Sequence, residues 1–87
     1  MIESRTTRRF WEAFAALSAE VQQEAKDAYR LFLSNPAHPS LHFKKLEGED
    51  RIYSVRIGLG YRALGAMKGN RVVWFWIGSH AEYDRKV

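Results

Sequence analysis

The stretch Val72–Arg85, VVWFWIGSHAEYDR, limits the possible folds more than any other part of the chain. Its first six residues, Val72 to Ile77, are all apolar and include two tryptophans and a phenylalanine. A short apolar run rich in β-branched and aromatic side chains and stopped by glycine predicts a strand buried on both faces. Such a strand needs a sheet around it and a layer of helices over that sheet. Directly after Gly78-Ser79 come His80, Glu82, Tyr83, Asp84 and Arg85. A rigid element therefore delivers a polar cluster to the edge of the core, the usual place for binding and catalytic side chains.

With 87 residues the chain has room for one domain, 1–87, with a small core. It has no cysteine, which excludes disulfides and thiolate metal sites and fits a reducing cytoplasm. The N-terminal residues are polar and arginine-rich, unlike a secretory signal, and no apolar run reaches the roughly 20 residues of a membrane span. We therefore expect a cytoplasmic protein with no membrane partner. The net charge of +4 is unevenly placed. Residues 1–40 carry five basic and five acidic side chains, whereas residues 41–87 carry nine and five. A basic excess in one half fits a polyanion or an acidic partner meeting that half, and it also fits solubility alone.

Read in order, the chain starts with a polar segment, Met1–Thr6, frayed or at best a short edge strand. Thr6 or Thr7 can cap a first helix, in which Phe10, Phe14 and Leu17 recur at helical spacing. Ser18 can cap a second, with Val21, Ala25, Ala28, Tyr29 and Phe32 on one face. Pro36 ends it near Ser34. After the stiff link Asn35–Ser40 the period changes to two. Strands are expected at Leu41–Leu46, around Tyr53–Ile57, from Tyr61 and from Val72, with a polar loop at Glu47–Arg51. Short connections at Gly58–Gly60 and Gly69-Asn70 make the strands an antiparallel meander. The fold class is α+β: a helical hairpin over 1–34, packed on one face of a four-stranded antiparallel sheet over 41–79, and a short tail at 80–87.

This topology gathers a candidate site. A three-residue loop at Gly58–Gly60 sets Arg56 opposite Arg62, a like-charged pair that an anion between them would relieve. A two-residue turn at Gly69-Asn70 sets Arg62 opposite Ile77, close to where His80 emerges. Lys44 and Lys45 border the same face, with Tyr83 on its rim. Such a surface suits RNA: arginines hold phosphates, histidine moves protons near neutrality, and tyrosine stacks a base or donates a hydrogen bond. Two solvated arginines and a structural histidine are the plainer alternative. Both tryptophans, Trp74 and Trp76, read as core, and Val73, Phe75 and Leu64 can leave apolar area exposed on the far side of the sheet. His38, His42 and His80 lack metal-ligand spacing, so neither a metal nor another cofactor is expected.

The segments Lys45–Gly48 (KLEG), Tyr53–Gly58 (YSVRIG), Gly60–Gly65 (GYRALG) and Trp74–Arg85 (WFWIGSHAEYDR), in this order after two helices, resemble the RelE/ParE superfamily of bacterial toxins, most of all its ParE-like branch. The resemblance runs from Phe10 to Arg85. It implies the toxin of a type II toxin–antitoxin system, neutralised by a cognate antitoxin protein. RelE-type members cut mRNA in the ribosomal A site without metal, by 2′-hydroxyl attack on the adjacent phosphate. Carried over by position, Arg56 and Arg62 clamp the phosphate, while His80 and Tyr83 match tail residues used in catalysis. Lys44, Lys45 and Arg85 then hold RNA. Ser54 departs from the pattern, since some RelE-type nucleases carry a catalytic lysine there, and the usual N-terminal strand is almost absent. ParE-type members share the fold and poison DNA gyrase, so gyrase inhibition stands as the alternative activity.

Overall fold

The structure, a computed structural model, describes residues 2–48 and 51–86. Two helices follow the first strand. In α1 (Arg8–Ala15) the Thr7 side chain accepts a hydrogen bond from the Phe10 amide, and in α2 (Ala19–Ser34) Ser18 does the same for Val21. Both caps satisfy an amide that the first helical turn leaves unpaired. The α2 helix ends at Ser34, as the proline two residues on requires.

The sheet has five strands rather than four, and it is mixed. Its spatial order is β1 (Glu3–Thr6), β5 (Arg71–Ser79), β4 (Tyr61–Lys68), β3 (Ile52–Ile57) and β2 (Lys44–Lys45). The meander β2 to β5 is antiparallel, whereas β1 adds to the edge of β5 in parallel, Glu3 beside Arg71 and Thr6 beside Trp74. Residues Glu3–Thr6 therefore belong to the sheet and not to the helical hairpin. Glu3-Ser4-Arg5-Thr6 shows no apolar alternation because polar bonds hold this edge. The Trp74 indole donates to Ser4 Oγ at 3.0 Å, and Arg71 Nη2 lies 3.3 Å from Glu3 Oε2.

The strand expected at Leu41–Leu46 shrinks to Lys44–Lys45. Pro39–Leu41 forms a 3-10 turn instead, and His42 closes it with a left-handed backbone, φ 46°. That bend tucks Leu41 into the core and delays pairing until Lys44. The polar loop after Leu46 includes Glu49 and Asp50, which lie outside the described residues. The hairpin at Gly58–Gly60 forms as expected, with Gly58 at φ 57°.

The strand β5 does not keep the register that its turn begins. Lys68 pairs with Arg71, as the two-residue turn demands, and Gly65 with Trp74, but Leu64 then pairs with Trp76. Phe75 is the extra residue, a β-bulge. One added residue exchanges the faces of everything after it. Trp74 thus joins Val72, Ile77, Val55, Ile57 and Phe32 in the core beneath the helices, while Trp76 lies on the opposite face. Arg62 faces Gly78 rather than Ile77. Core packing holds fully for Trp74; Trp76 is half-buried in a second cluster with Leu46, Leu64, Phe75 and Tyr83.

Residues 80–86, expected as a tail, form the helix α3 (His80–Lys86). Ser79 and Glu82 build a capping box. Glu82 Oε1 accepts from the Ser79 amide at 3.0 Å and from its hydroxyl at 3.1 Å, while Ser79 Oγ accepts from the Glu82 amide at 3.2 Å. This turns the chain back so that Tyr83 packs on the sheet face away from α1 and α2. The apolar area on that face, anticipated as open to a partner, is partly closed by the chain itself.

Candidate active site

The face carrying Tyr83 also carries the arginines. Alternation along β3 and β4 sends Tyr53, Val55, Ile57, Tyr61 and Ala63 toward the helices and Ser54, Arg56, Arg62 and Leu64 the other way. Arg56 and Arg62 are direct partners across the ladder. They avoid each other by turning apart: Arg56 Nε donates to the Gly58 carbonyl at 3.1 Å, and Arg62 leans toward α3. Like charges in register cost a few tenths of a kcal/mol or more, and both deflections reduce that cost.

Three candidate residues converge. The Arg62 guanidinium carbon lies 5.1 Å from the centre of the Tyr83 ring, and the His80 ring is parallel to that ring within 17° at 5.9 Å. Arg62 Nε donates to His80 Nδ1 at 3.4 Å, a long hydrogen bond. The contact uses the Nδ1 lone pair, so neutral His80 carries its proton on Nε2. That nitrogen faces Asp84 Oδ2 at 3.7 Å. Tyr83 is 8% exposed and supports both groups from below. It does not stand on the rim as the sequence suggested, because the capping box and the adjacent helical turn rotate its ring inward. The His80 amide donates to the Gly60 carbonyl at 2.7 Å, which pins the start of α3 to the β3–β4 loop.

The remaining candidates divide. Lys44 pairs with Ser54 and shares the face of Arg56 and Arg62. Lys45 pairs with Tyr53, on the helix side of the ladder, so the two lysines do not border one surface. Arg85 is exposed on α3. Sequence reasoning gave Glu82 and Asp84 no role, yet Glu82 fixes the turn and Asp84 stands 3.7 Å from the histidine ring; the pattern Ser-x-x-Glu at Ser79–Glu82 was the available signal for the turn. Among the described residues no three His, Asp or Glu side chains gather as metal ligands.

The opposite side of the molecule holds a second feature. A cleft of about 460 Å³ opens between β1, α1 and α2 and reaches core residues including Phe32, Val55 and Trp74. Arg5, Lys26 and Arg30 stand at its mouth, and Trp11 beside it is 51% exposed.

The ParE-like toxin domain matches residues 19–85. No curated protein is similar to the sequence at a significant level. Solved structures with this fold include the RelB–RelE antitoxin–toxin complex from Methanococcus jannaschii, 16% identical, covering 93% of this chain and 96% of that one, TM-score 0.75. YafQ from E. coli is 9% identical over 95% of this chain and 98% of its own, TM-score 0.74. The E. coli RelBE toxin–antitoxin complex is 18% identical over 90% and 95%, TM-score 0.67. At these identities the likeness is one of fold, whereas the domain match covers most of the sequence. The chain belongs to the ParE-like toxin domain family and is a toxin of the RelE/ParE superfamily.

Proposed function

We propose that this toxin is a metal-independent, ribosome-dependent mRNA endonuclease that stops translation in the cytoplasm. The observation that carries the reading is the convergence of Arg62, His80 and Tyr83 at one corner of a face that also holds Arg56 and Lys44. In the proposed reaction a ribose 2′-hydroxyl attacks the neighbouring phosphorus, the bond to the 5′-oxygen breaks, and that oxygen takes up a proton from water. The products are a 2′,3′-cyclic phosphate and a 5′-hydroxyl end. Arg56 and Arg62 stabilise the charge that builds on the phosphorane. As Arg62 turns to the phosphate it releases His80 Nδ1, whose lone pair then takes the 2′-hydroxyl proton. Asp84 holds the opposite ring nitrogen, and Tyr83 fixes the approach of both groups. Lys44 and Arg85 guide the RNA.

The partner is a cognate antitoxin, as in the RelB–RelE complexes that share the fold. An amphipathic antitoxin segment that inserts apolar side chains into the α1–α2 cleft and sets acidic ones against Arg5, Lys26 and Arg30 fits the chemistry of that groove.

The match to a ParE-like domain keeps gyrase inhibition as the second reading. Induced expression with pulse labelling separates the two. The nuclease reading expects protein synthesis to stop first and the message to be cut in a purified translation system. Arg62→Ala and His80→Ala should each lower cleavage by about 10²–10³-fold while remaining folded. A DNA-damage response ahead of translation arrest, or full toxicity of both folded variants, would refute it.

A further inference from the structure

The two helices do not close fully over the sheet. α1 packs mainly on β5 and α2 mainly on β3, which leaves the helix face of β4, between those strands, thinly covered. The residues at the centre of that face are small, Ala63 and Gly65. The Trp74 ring lies against Gly65, and the space over Ala63 is left as the floor of the α1–α2 cleft. Its volume of about 460 Å³ falls within the range of roughly 300–1,000 Å³ that small-molecule sites occupy.

Depth and polarity grade together in this cleft. Ala63, Val55, Ile57 and Phe32 form the floor, none more than 6% exposed, and none of them carries a polar side chain. Phe14 and Ala28 are half-buried walls, and Trp11 and Tyr29 stand at the mouth. The hydroxyls of Ser4 and Thr6 are already used, accepting from the Trp74 and Trp11 indoles at 3.0 and 2.9 Å. The charged side chains that line the cleft are all positive: Arg5 on β1, and Lys26 and Arg30 one turn apart on α2. Arg30 pairs with Asp27, whereas Arg5 and Lys26 make no ion pair among the described residues. A ligand matched to this gradient has a body without hydrogen-bonding groups and one anionic end. A flexible hydrocarbon chain suits it better than a ring system, because so little of the floor is open that the slot is narrow at its base.

We propose that the α1–α2 cleft binds a medium-chain carboxylate, with the hydrocarbon over Ala63 and the carboxylate held by Arg5 and Lys26. The site is separate from the Arg62–His80 corner, and binding is independent of the nuclease reading. Only its consequence rests on the antitoxin reading: the acid presents in one molecule the apolar and acidic groups of an antitoxin segment, so the two compete for the cleft.

Sodium decanoate, kept below its micelle concentration and titrated into the full chain at constant ionic strength, is the probe. Calorimetry should show one saturable site, and tryptophan fluorescence should change with it, because Trp11 and Trp74 line the cleft. Nonanoate should bind about fourfold more weakly than decanoate, the worth of one buried methylene. Decanol should bind about fivefold more weakly than decanoate, and so should decanoate to the double variant Arg5→Ala, Lys26→Ala. Ala28→Leu narrows the wall and keeps a good helix former in α2, so affinity should fall at least tenfold with unchanged far-ultraviolet circular dichroism. No saturable binding, equal affinity for decanol, or undiminished binding to folded Ala28→Leu would overturn the proposal. Saturable binding that leaves antitoxin affinity unchanged would uphold the site and sink the placement of the antitoxin in this cleft.

Discussion

Gly78→Ala is a one-carbon change whose sign decides whether the corner between β5 and α3 is a packed joint. Gly78 pairs with Arg62 and shares its face with Trp76, two residues earlier. A Cβ built there would lie 2.4 Å from Trp76 Cζ2, 2.8 Å from Cη2 and 3.0 Å from Glu82 Oε1. The Glu82 carboxylate ends a flexible side chain and can shift, though it is held by the Ser79 amide and hydroxyl. The indole cannot shift so easily, because it is packed within the cluster of Leu46, Leu64 and Tyr83. Overpacking of this kind costs about 1–3 kcal/mol. Against it stands the lower backbone entropy of the unfolded alanine chain, worth about 0.4–1 kcal/mol. That gain applies in full, because the Gly78 backbone is not in the left-handed region. The net expectation is a loss of about 1–2 kcal/mol, which in a domain this small lowers Tm by roughly 5–15 °C.

Urea and thermal denaturation followed by tryptophan fluorescence read the loss, and near-ultraviolet circular dichroism reports whether Trp76 has left its place. The same variant should weaken the Arg62–His80 contact, since the added Cβ meets both Trp76 and the Glu82 carboxylate that caps α3. Equal or higher stability, which the entropy term alone predicts, would refute the packing argument and with it the view that the indole clamps the start of α3.

The two lysines provide a test of face assignment: in binding to an uncleavable single-stranded RNA, Lys44→Ala should reduce the slope of log K against log salt by about 0.7, the share of one phosphate contact, and Lys45→Ala should leave it unchanged. Equal effects would mean that RNA does not follow the Arg56–Arg62 face. Deletion of Phe75 should remove the bulge while leaving Trp76 opposite Leu64 and Ile77 opposite Ala63 on their present faces, so circular dichroism and gel filtration should find a native-like fold, and a misfolded or aggregated chain would show that the extra residue is needed to bend the strand. Lys26→Glu sets a negative charge at the mouth of the α1–α2 cleft, and antitoxin affinity measured by calorimetry should fall at least tenfold if an acidic segment docks there, with an unchanged affinity pointing to a different docking surface.

Much of this architecture was legible because local rules and tertiary packing agree. Thr7 and Ser18 cap the helices that the 3.6-residue period announces, and the proline after α2 ends it. The three-residue loop at Gly58–Gly60 placed Arg56 against Arg62 by counting alone. The failures share one physical cause, the use of polar or single-residue devices where an apolar pattern was sought. β1 is an edge strand held by Ser4 and Glu3, so hydropathy passed over it. The bulge is one phenylalanine within an apolar run, where the face of a residue cannot be read from its type. α3 is too short for periodicity, and its start is written only in Ser79 and Glu82. The candidate residues could therefore be named from the sequence, whereas their relative placement could not. Tyr83 lies under the arginine rather than beside it, and Lys45 is on the wrong side.

That division explains how one scaffold can serve different activities. The fold fixes strand order and loop lengths, and those put an arginine pair at the end of β3 and β4. Whether the pair acts on a phosphodiester depends on what the last turn of chain adds. Here the Phe75 bulge sets Arg62 opposite Gly78, the glycine admits the indole of Trp76, and the Ser79–Glu82 box swings Tyr83 beneath Arg62 and His80 beside it. Changing the glycine or the capping box should separate the arginine and the histidine while the rest of the sheet and α1 and α2 remain. A toxin of this fold can therefore gain or lose a proton-transfer group at little cost to its core. The residues to compare between a nuclease and a gyrase poison are Phe75, Gly78 and the Ser79–Glu82 capping box.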